Sequence, residues 1–164
     1  MLGFQLEVPR EIQLLDGATL KCREVLQDGR TLGELEVSLF AAALVIDRDG
    51  ILAEKACAVL AAEATVRGGP TAVAVVLPGA SGYRADAVLN AALPYRYVFA
   101  IAPGDLGVDG GIAIVVRCVS PDWPAADHML RSLRILTRTG RVATQAEVDD
   151  GPLLPVVTPL PKRG

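Results

Sequence analysis

The chain has 164 residues, of which 51% are apolar, and its formal net charge is −3 with a pI of about 5.2. This length predicts one domain with a real core and excludes two domains of ordinary size. The acidic balance argues against a nucleic-acid binder, because neutralising phosphates needs an excess of cations. The apolar excess predicts either an unusually complete core or a subunit interface, and we expect a homo-oligomer with a protein partner.

The sequence also indicates a protein outside the membrane. The longest apolar run, from Leu39 to Ile46, is about half of the roughly 18 residues that a membrane span needs. The opening residues lack the basic and continuous apolar regions of a signal peptide. Cys22, Cys57 and Cys118 are widely spaced and odd in number, so they cannot close a disulfide framework. We therefore expect a cytoplasmic protein whose cysteines are small buried residues.

The first predicted elements are short strands. Residues 4–8 alternate apolar and polar side chains before Pro9, which predicts a strand with one buried face. Asp28-Gly29 separates two strand-like segments and predicts a hairpin with a two-residue turn, in which both positions need a positive φ. The second arm alternates apolar residues with polar ones that we expect to face water: Leu35, Val37 and Leu39 against Glu34, Glu36 and Ser38.

A helix is predicted in the middle of the chain. The segment before it, Phe40 to Ile46, fits either an extension of the strand or a buried helical turn. Farther on, Glu54, Lys55 and Glu63 lie away from the predicted buried face, and Gly68-Gly69-Pro70 is expected to end the helix. The predicted buried face has helical spacing and consists of Leu52, Ala56, Val59, Leu60 and Ala64.

Four more strands are expected before the last helix. Thr71–Leu77 is apolar and β-branched, which predicts a central strand, and Tyr83–Leu89 predicts another strand after a turn. The next two strands are expected to pair so that large apolar side chains share one face. This register sets Arg96 opposite Arg117, which is unfavourable unless water or a carboxylate separates them. The predicted partners are Tyr95 with Cys118, Tyr97 with Val116, Phe99 with Ile114 and Ile101 with Ile112.

The last predicted helix follows these strands. Ser120 or Asp122 is expected to cap it, and Pro121 or Pro124 to occupy its first turn. The buried stripe is predicted to contain Trp123, Ala126, Leu130 and Leu133.

These elements predict an α+β domain over residues 1–140, with an antiparallel sheet of five to seven strands packed by two main helices. Residues 141–164 are rich in proline, and we expect this tail to pack on its own or a neighbouring subunit.

Few residues suggest chemistry. Ser81, His128 and Asp127 could form a hydrolase triad, but the second glycine of the Gly-x-Ser-x-Gly elbow is missing and spacing cannot supply the geometry. Asp105 and Asp109 lie in a glycine-rich loop that does not match EF-hand spacing, and loop aspartates commonly form turns. We therefore predict no catalytic residue, metal or cofactor. The sequence leaves open whether the protein is an enzyme and favours a protein that is not one.

Two groups of residues are candidates for binding. Arg131, Arg134 and Arg138 have helical spacing, which fits either a solvated helix face or a patch for an anion or an acidic partner protein. The second candidate is a site at the sheet rim, where Tyr83 and Arg84 would meet the two loop aspartates.

Two segments resemble the PsbP-like α/β/α sandwich family, to which LpqN-type proteins are similar. Phe4–Pro9 resembles that family's first strand. The resemblance implies an antiparallel sheet flanked by helices and an accessory or protein-binding role. Our first hypothesis is therefore a non-catalytic binding or assembly module, and the alternative is a small enzyme or ligand-binding protein with a site at the rim. The second resembling segment is the closing strand pair with Trp123, Ala126, Met129, Leu130, Ser132 and Leu133.

Overall fold

The structure, a computed structural model, describes residues 3–16, 20–66, 68–103 and 110–136. Within them the chain forms a seven-stranded antiparallel sheet, a two-stranded sheet and two helices, which confirms the predicted α+β class. In the described part of the chain no helix has the length and apolar character that crossing a bilayer requires. Several predictions fall on residues outside these ranges: the tail 141–164, Arg138, Asp105 and Asp109.

The large sheet has the strand order β2-β3-β4-β8-β7-β6-β5, and β1 pairs with β9 in the small sheet. Every described pairing is antiparallel. The strands are β1 (Gly3–Gln5), β2 (Ile12–Asp16), β3 (Leu20–Val25), β4 (Thr31–Ala41), β5 (Ala72–Leu77), β6 (Ala80–Val88), β7 (Tyr95–Ala102), β8 (Gly110–Cys118) and β9 (Arg134–Leu136), and the helices are α1 (Arg48–Glu63) and α2 (Pro124–Ser132).

Strands β7 and β8 pair in the predicted register. Tyr95 lies opposite Cys118, and Ile101 lies opposite Ile112. Arg96 and Arg117 are therefore partners, as predicted. Of the two separators that the prediction allowed, water or a carboxylate, the structure shows a carboxylate, that of Glu63, which contacts both.

The sheet buries a separate apolar cluster on each face. On β7, Tyr97 and Phe99 belong to the cluster that contains α2, whereas Val98 and Ala100 belong to the cluster that contains α1. Successive side chains of a strand point to opposite faces, which explains the division. We call the two sides the α2 face and the α1 face.

The predicted hairpin exists between β3 and β4, but its turn differs from the prediction. The amide of Leu26 donates to the carbonyl of Arg30 at 2.8 Å, and the amide of Gly29 donates to the carbonyl of Leu26 at 2.9 Å. Only Gly29 has a positive φ, of 85°. The predicted two-residue turn is therefore wrong: residues 27–29 form a longer loop, and only its glycine needs the left-handed conformation.

The carboxylates of β4 were expected to face water, and this prediction is wrong. Leu35 and Val37 are buried on the α2 face as predicted, whereas Leu39 is 47% exposed. The side chains of Glu34 and Glu36 are 13% and 30% exposed, and both pair with a guanidinium on the α1 face.

Helix α1 buries Leu52, Ala56 and Leu60, as its periodicity predicts. It ends at Glu63, several residues before the glycines that were expected to end it, because Ala64 is already extended. Glu63 does not lie away from the sheet as predicted, since its carboxylate binds Arg117 of β8.

The segment Phe40–Ile46, predicted to be either an extension of the strand or a buried helical turn, is divided between strand and turn. Strand β4 continues to Ala41, and a turn follows over 44–46. The side chain of Asp47 then accepts the amide of Gly50 at 3.1 Å and caps α1.

The prediction that Thr71–Leu77 is a central strand is wrong for the part of the chain that the structure describes, in which β5 is the last strand of the sheet and pairs with β6 alone. Pro78-Gly79 joins it to β6 in a tight hairpin, with Leu77 opposite Ala80. A run of apolar residues is equally compatible with a central strand and with an edge strand that meets another molecule, so composition could not distinguish them.

Helix α2 follows Trp123, which occupies its cap position without a side-chain hydrogen bond, so the predicted caps Ser120 and Asp122 are wrong. Pro124 is in the first turn as predicted. The indole of Trp123 lies over Gly33, where an added Cβ would come within 2.6 Å of the ring, and its Nε1 donates to Glu24 at 2.6 Å. The buried stripe of this segment comprises Trp123, Ala126, Met129, Leu130 and Leu133.

Candidate functional site

The serine and histidine that could suggest a hydrolase lie on opposite faces of the sheet. The guanidinium of Arg48 donates to the Ser81 hydroxyl at 3.0 Å and to the carbonyls of Ser81 and Ala102 at 2.8 and 2.7 Å, all on the α1 face. His128 lies on α2, and its Nε2 is 3.3 Å from a carboxylate oxygen of Glu7. The hydroxyl therefore meets a guanidinium that already holds two carbonyls, and no general base contacts it in the described structure.

The residues predicted for the rim site are also divided. Tyr83 contributes to the apolar cluster on the α1 face. Arg84 follows it in the strand and so points to the α2 face, where its Nε is 3.2 Å from the Asp86 carboxylate. Tyr83 and Arg84 thus cannot contact one ligand on one face of the sheet.

Burial is the main cause of the pKa shifts of Asp86 and Tyr97 on the α2 face. Asp86 lies opposite Tyr97 in the β6–β7 ladder. Burial raises the pKa of the Asp86 carboxyl, which the charge of Arg84 lowers in part, and burial also raises the pKa of the Tyr97 phenol. These shifts disfavour the charged forms, as expected for groups built into a core.

The two buried cysteines fit the prediction of inert core residues. Burial raises the pKa of Cys22 to about 11 and that of Cys118 to about 12, so both remain thiols at neutral pH. The Cys22 thiol lies 3.6 Å from the Met129 sulfur. Cys57 is half-buried, and its thiol donates to the carbonyl of Pro70 at 3.4 Å.

In the arginine group, the structure describes Arg131 and Arg134. One nitrogen of the Arg134 guanidinium donates to the carbonyls of Arg131 and Leu133 at 3.1 and 2.8 Å. Arg134 also lines an open groove of about 520 Å³ beside β1, together with Phe4 and Leu6. The predicted helical spacing is wrong for this pair, because Arg131 lies in α2 and Arg134 begins β9. Anion binding by the group stays a prediction.

A cluster of charges on the α1 face joins the helix to the sheet. Arg117 binds Glu63 through two hydrogen bonds of 2.7 and 2.6 Å, a bidentate pair. Arg96 approaches the same carboxylate at 3.7 Å, so Glu63 separates the two arginines that the β7–β8 register brings together. The Arg117 cluster comprises these groups and their paired neighbours on the same face: Arg23, Arg96, Arg117, Glu34, Glu36 and Glu63.

Within the Arg117 cluster, guanidinium and carboxylate groups pair with one another. The hydrogen bond from Arg117 lowers the pKa of Glu63 and raises that of Arg117. Glu34 and Glu36 lie 3.7 and 3.5 Å from the same guanidinium, and Arg23 binds Glu34 at 2.8 Å. Three carboxylates thus face three guanidinium groups, and each of these charged groups has a partner of opposite charge within the cluster.

The described residues contain no group of three or more His, Cys, Asp or Glu side chains that could hold a metal ion. Among these residues, the β5 edge, residues 72–77, combines an uncharged strand with exposed apolar side chains. Within the described ranges β5 pairs only with β6, and it carries no charged residue. The side chains of Val73 and Val76 are 54% and 46% exposed. The other side of this strand leaves backbone groups that another strand could pair with.

The sequence predicted a strand here but missed its position at the edge. The short Pro78-Gly79 turn is the sequence feature that limits where β5 can lie in the sheet, because it makes β6 one neighbour of β5. It does not identify a second neighbour. No family model, curated protein or solved structure matches this chain, so its function has to be inferred from geometry.

Proposed function

We propose that this protein is a non-catalytic protein-binding and assembly module that accepts an added β-strand along the β5 edge. The observation that carries the proposal is the chemistry of that edge: six residues in regular register, without charge, with two half-exposed valines. Added strands gain affinity from backbone hydrogen bonds and specificity from alternate side chains.

The arrangement of the polar residues favours this proposal over a small enzyme. Ser81 is held by Arg48, and Tyr83 and Arg84 point to opposite faces. The charged groups of the Arg117 cluster pair with one another. The β5 edge, in contrast, has hydrogen-bonding groups and apolar side chains that gain from a partner.

Site-specific photo-crosslinking in cells tests the proposal. A photoreactive phenylalanine analogue would replace Val73 at the β5 edge or, as matched control, Val119, which is 43% exposed after β8. We expect a discrete covalent protein adduct from position 73 and none from position 119, because the two sites differ in location more than in exposure. Equal labelling at both positions, or no adduct at position 73, would refute strand addition at β5.

A further inference from the structure

We infer that the strand added at β5 is β5 of a second copy of this chain, paired antiparallel about a two-fold axis at Ala74. This inference rests on the proposed function and specifies its partner. It predicts one continuous sheet across the dimer, in which the seven strands of each copy become fourteen.

The geometry of the β5–β6 hairpin determines which backbone groups point outward. Its two-residue turn is closed by the pair Leu77 and Ala80, and such a closing pair is hydrogen-bonded. In an antiparallel ladder the hydrogen-bonded pairs alternate, so Val73 and Val75 also bond to β6.

The other side of β6 supports this assignment independently. The amide of Leu89 donates to the carbonyl of Pro94 at 2.8 Å, just beyond the β6–β7 ladder. Odd-numbered residues of β6 therefore bond towards β7, and even-numbered ones towards β5. The N–H and C=O groups of Ala72, Ala74 and Val76 consequently point away from β6.

A two-fold axis perpendicular to the sheet at Ala74 uses all of these groups. Ala74 then pairs with Ala74 of the second copy, and Ala72 pairs with Val76 in both directions. The three hydrogen-bonded pairs provide six backbone hydrogen bonds. Moving the axis to Val75 leaves only two such pairs, because Ala72 then meets Pro78, which has no N–H.

The side chains are self-complementary in the same register. Val73 of each copy lies opposite Val75 of the other on the α2 face, in a non-hydrogen-bonded pair whose side chains come close. On the α1 face small Ala72 meets Val76, which accommodates the approach. No charge is buried, because β5 contains none.

A second copy is the occupant that the edge itself specifies. A two-fold interface needs one surface patch that complements itself, and this strand meets the requirement in hydrogen bonding, size and charge. The edge of six residues is about 20 Å long, which is short for a permanent dimer, so we expect an affinity in the micromolar range.

Sedimentation velocity of the purified full-length chain over a concentration series tests the dimer. Ala74→Pro removes an outward N–H while leaving the bonds to β6 intact, since proline is tolerated at an edge position of this kind. We expect it to raise the dimer Kd by about 100-fold or more. The matched control Ala74→Val retains the N–H and should change Kd by less than about 5-fold.

Two outcomes would overturn the inference: a wild-type chain that stays monomeric, or a dimer that Ala74→Pro leaves unchanged. Circular dichroism measures whether the proline variant is folded. If it is not, Val76→Lys serves instead, because lysine on an edge strand opposes pairing while remaining solvated.

Cysteine cross-linking tests the register in a Cys57→Ser background, in which the remaining native cysteines are buried. Val73 and Val75 of different copies are expected at a Cα separation of about 4.5 Å, within the range of a disulfide. A mixture of Val73→Cys and Val75→Cys chains should therefore form a mixed disulfide, and neither chain alone should do so. A disulfide formed by Val75→Cys alone would overturn the register.

The in-cell adduct separates this inference from the proposed function. An adduct of twice the chain mass from position 73 supports self-pairing. An adduct with a different protein, together with a monomeric purified chain, overturns self-pairing and leaves strand addition at β5 supported. The absence of any adduct refutes both.

Discussion

The two edges of the large sheet differ in how they limit pairing with other strands. At β2 the register with β3 shifts between Leu14 and Asp16, and an exposed Gln13 precedes the irregularity. At β5 all six residue pairs with β6 are in regular register, and the strand is uncharged. Bulges and polar residues are the devices that natural proteins use against edge-to-edge association.

In the described structure β2 thus carries features that oppose strand pairing and β5 carries none of them, as our proposal of strand addition at β5 requires. A chain that had to remain monomeric would gain from a lysine or an irregularity at β5 as well. We therefore expect substitutions at the edges to change association, and substitutions in the interior to change stability.

The largest effect is expected from the interior of the sheet. Arg117→Met leaves three carboxylates without their common guanidinium, and we expect the free energy of unfolding to fall by about 3 kcal/mol. Urea denaturation measures the change. The control Arg30→Met removes an exposed pair at the hairpin loop and should cost less than about 0.5 kcal/mol. Similar losses in both variants would contradict a stabilising role for the Arg117 cluster.

A smaller, pH-dependent effect is expected at Glu63. Its folded pKa lies below the ordinary value of 4.5, so its contribution is complete above that pH and is lost as the pH falls through the folded pKa. Glu63→Gln should therefore reduce the free energy of unfolding by about 2 kcal/mol at pH 7, and the difference from wild type should shrink below pH 4.5. Thermal denaturation across the acid range measures it.

Glu54→Gln, on the exposed side of α1, is the matched control for this titration. It removes the same charge from the same helix and should follow the wild-type curve at every pH. If the Glu63→Gln difference persists undiminished in acid, the carboxylate is not the source of the stability.

The smallest effect is expected at the protected edge. Gln13→Val makes β2 less polar but retains the register shift, so the free energy of unfolding should change by less than about 0.5 kcal/mol, and no new association should appear. Sedimentation velocity in the Ala74→Pro background measures this without the β5 contact. New oligomers would show that polarity, and not the bulge, protects β2.

Local patterns were sufficient to predict much of the fold. The pairing of Tyr95 with Cys118 followed from keeping large apolar side chains on one face, and the same argument placed Arg96 opposite Arg117. The buried face of α1 followed from helical periodicity. These features depend on residues that are close in sequence or in adjoining strands.

The features that the sequence did not predict depend on distant parts of the chain. Glu63 was placed on the solvent side because its partner, Arg117, is 54 residues away. The edge position of β5 depends on the order of strands, which apolar composition does not determine. The candidate binding surface was missed for the same reason, since an edge is defined by the neighbour that a strand lacks.

The contact of Trp123 with Gly33 gives the protein an internal optical reporter. The chain has a single tryptophan, and its indole is 2% exposed between α2 and the sheet, with a hydrogen bond to Glu24. Indole emission therefore reports solvent entry at the α2 layer alone. Because the β5 edge is remote from this fluorophore in the strand order, emission spectra should follow unfolding and stay constant when chains associate.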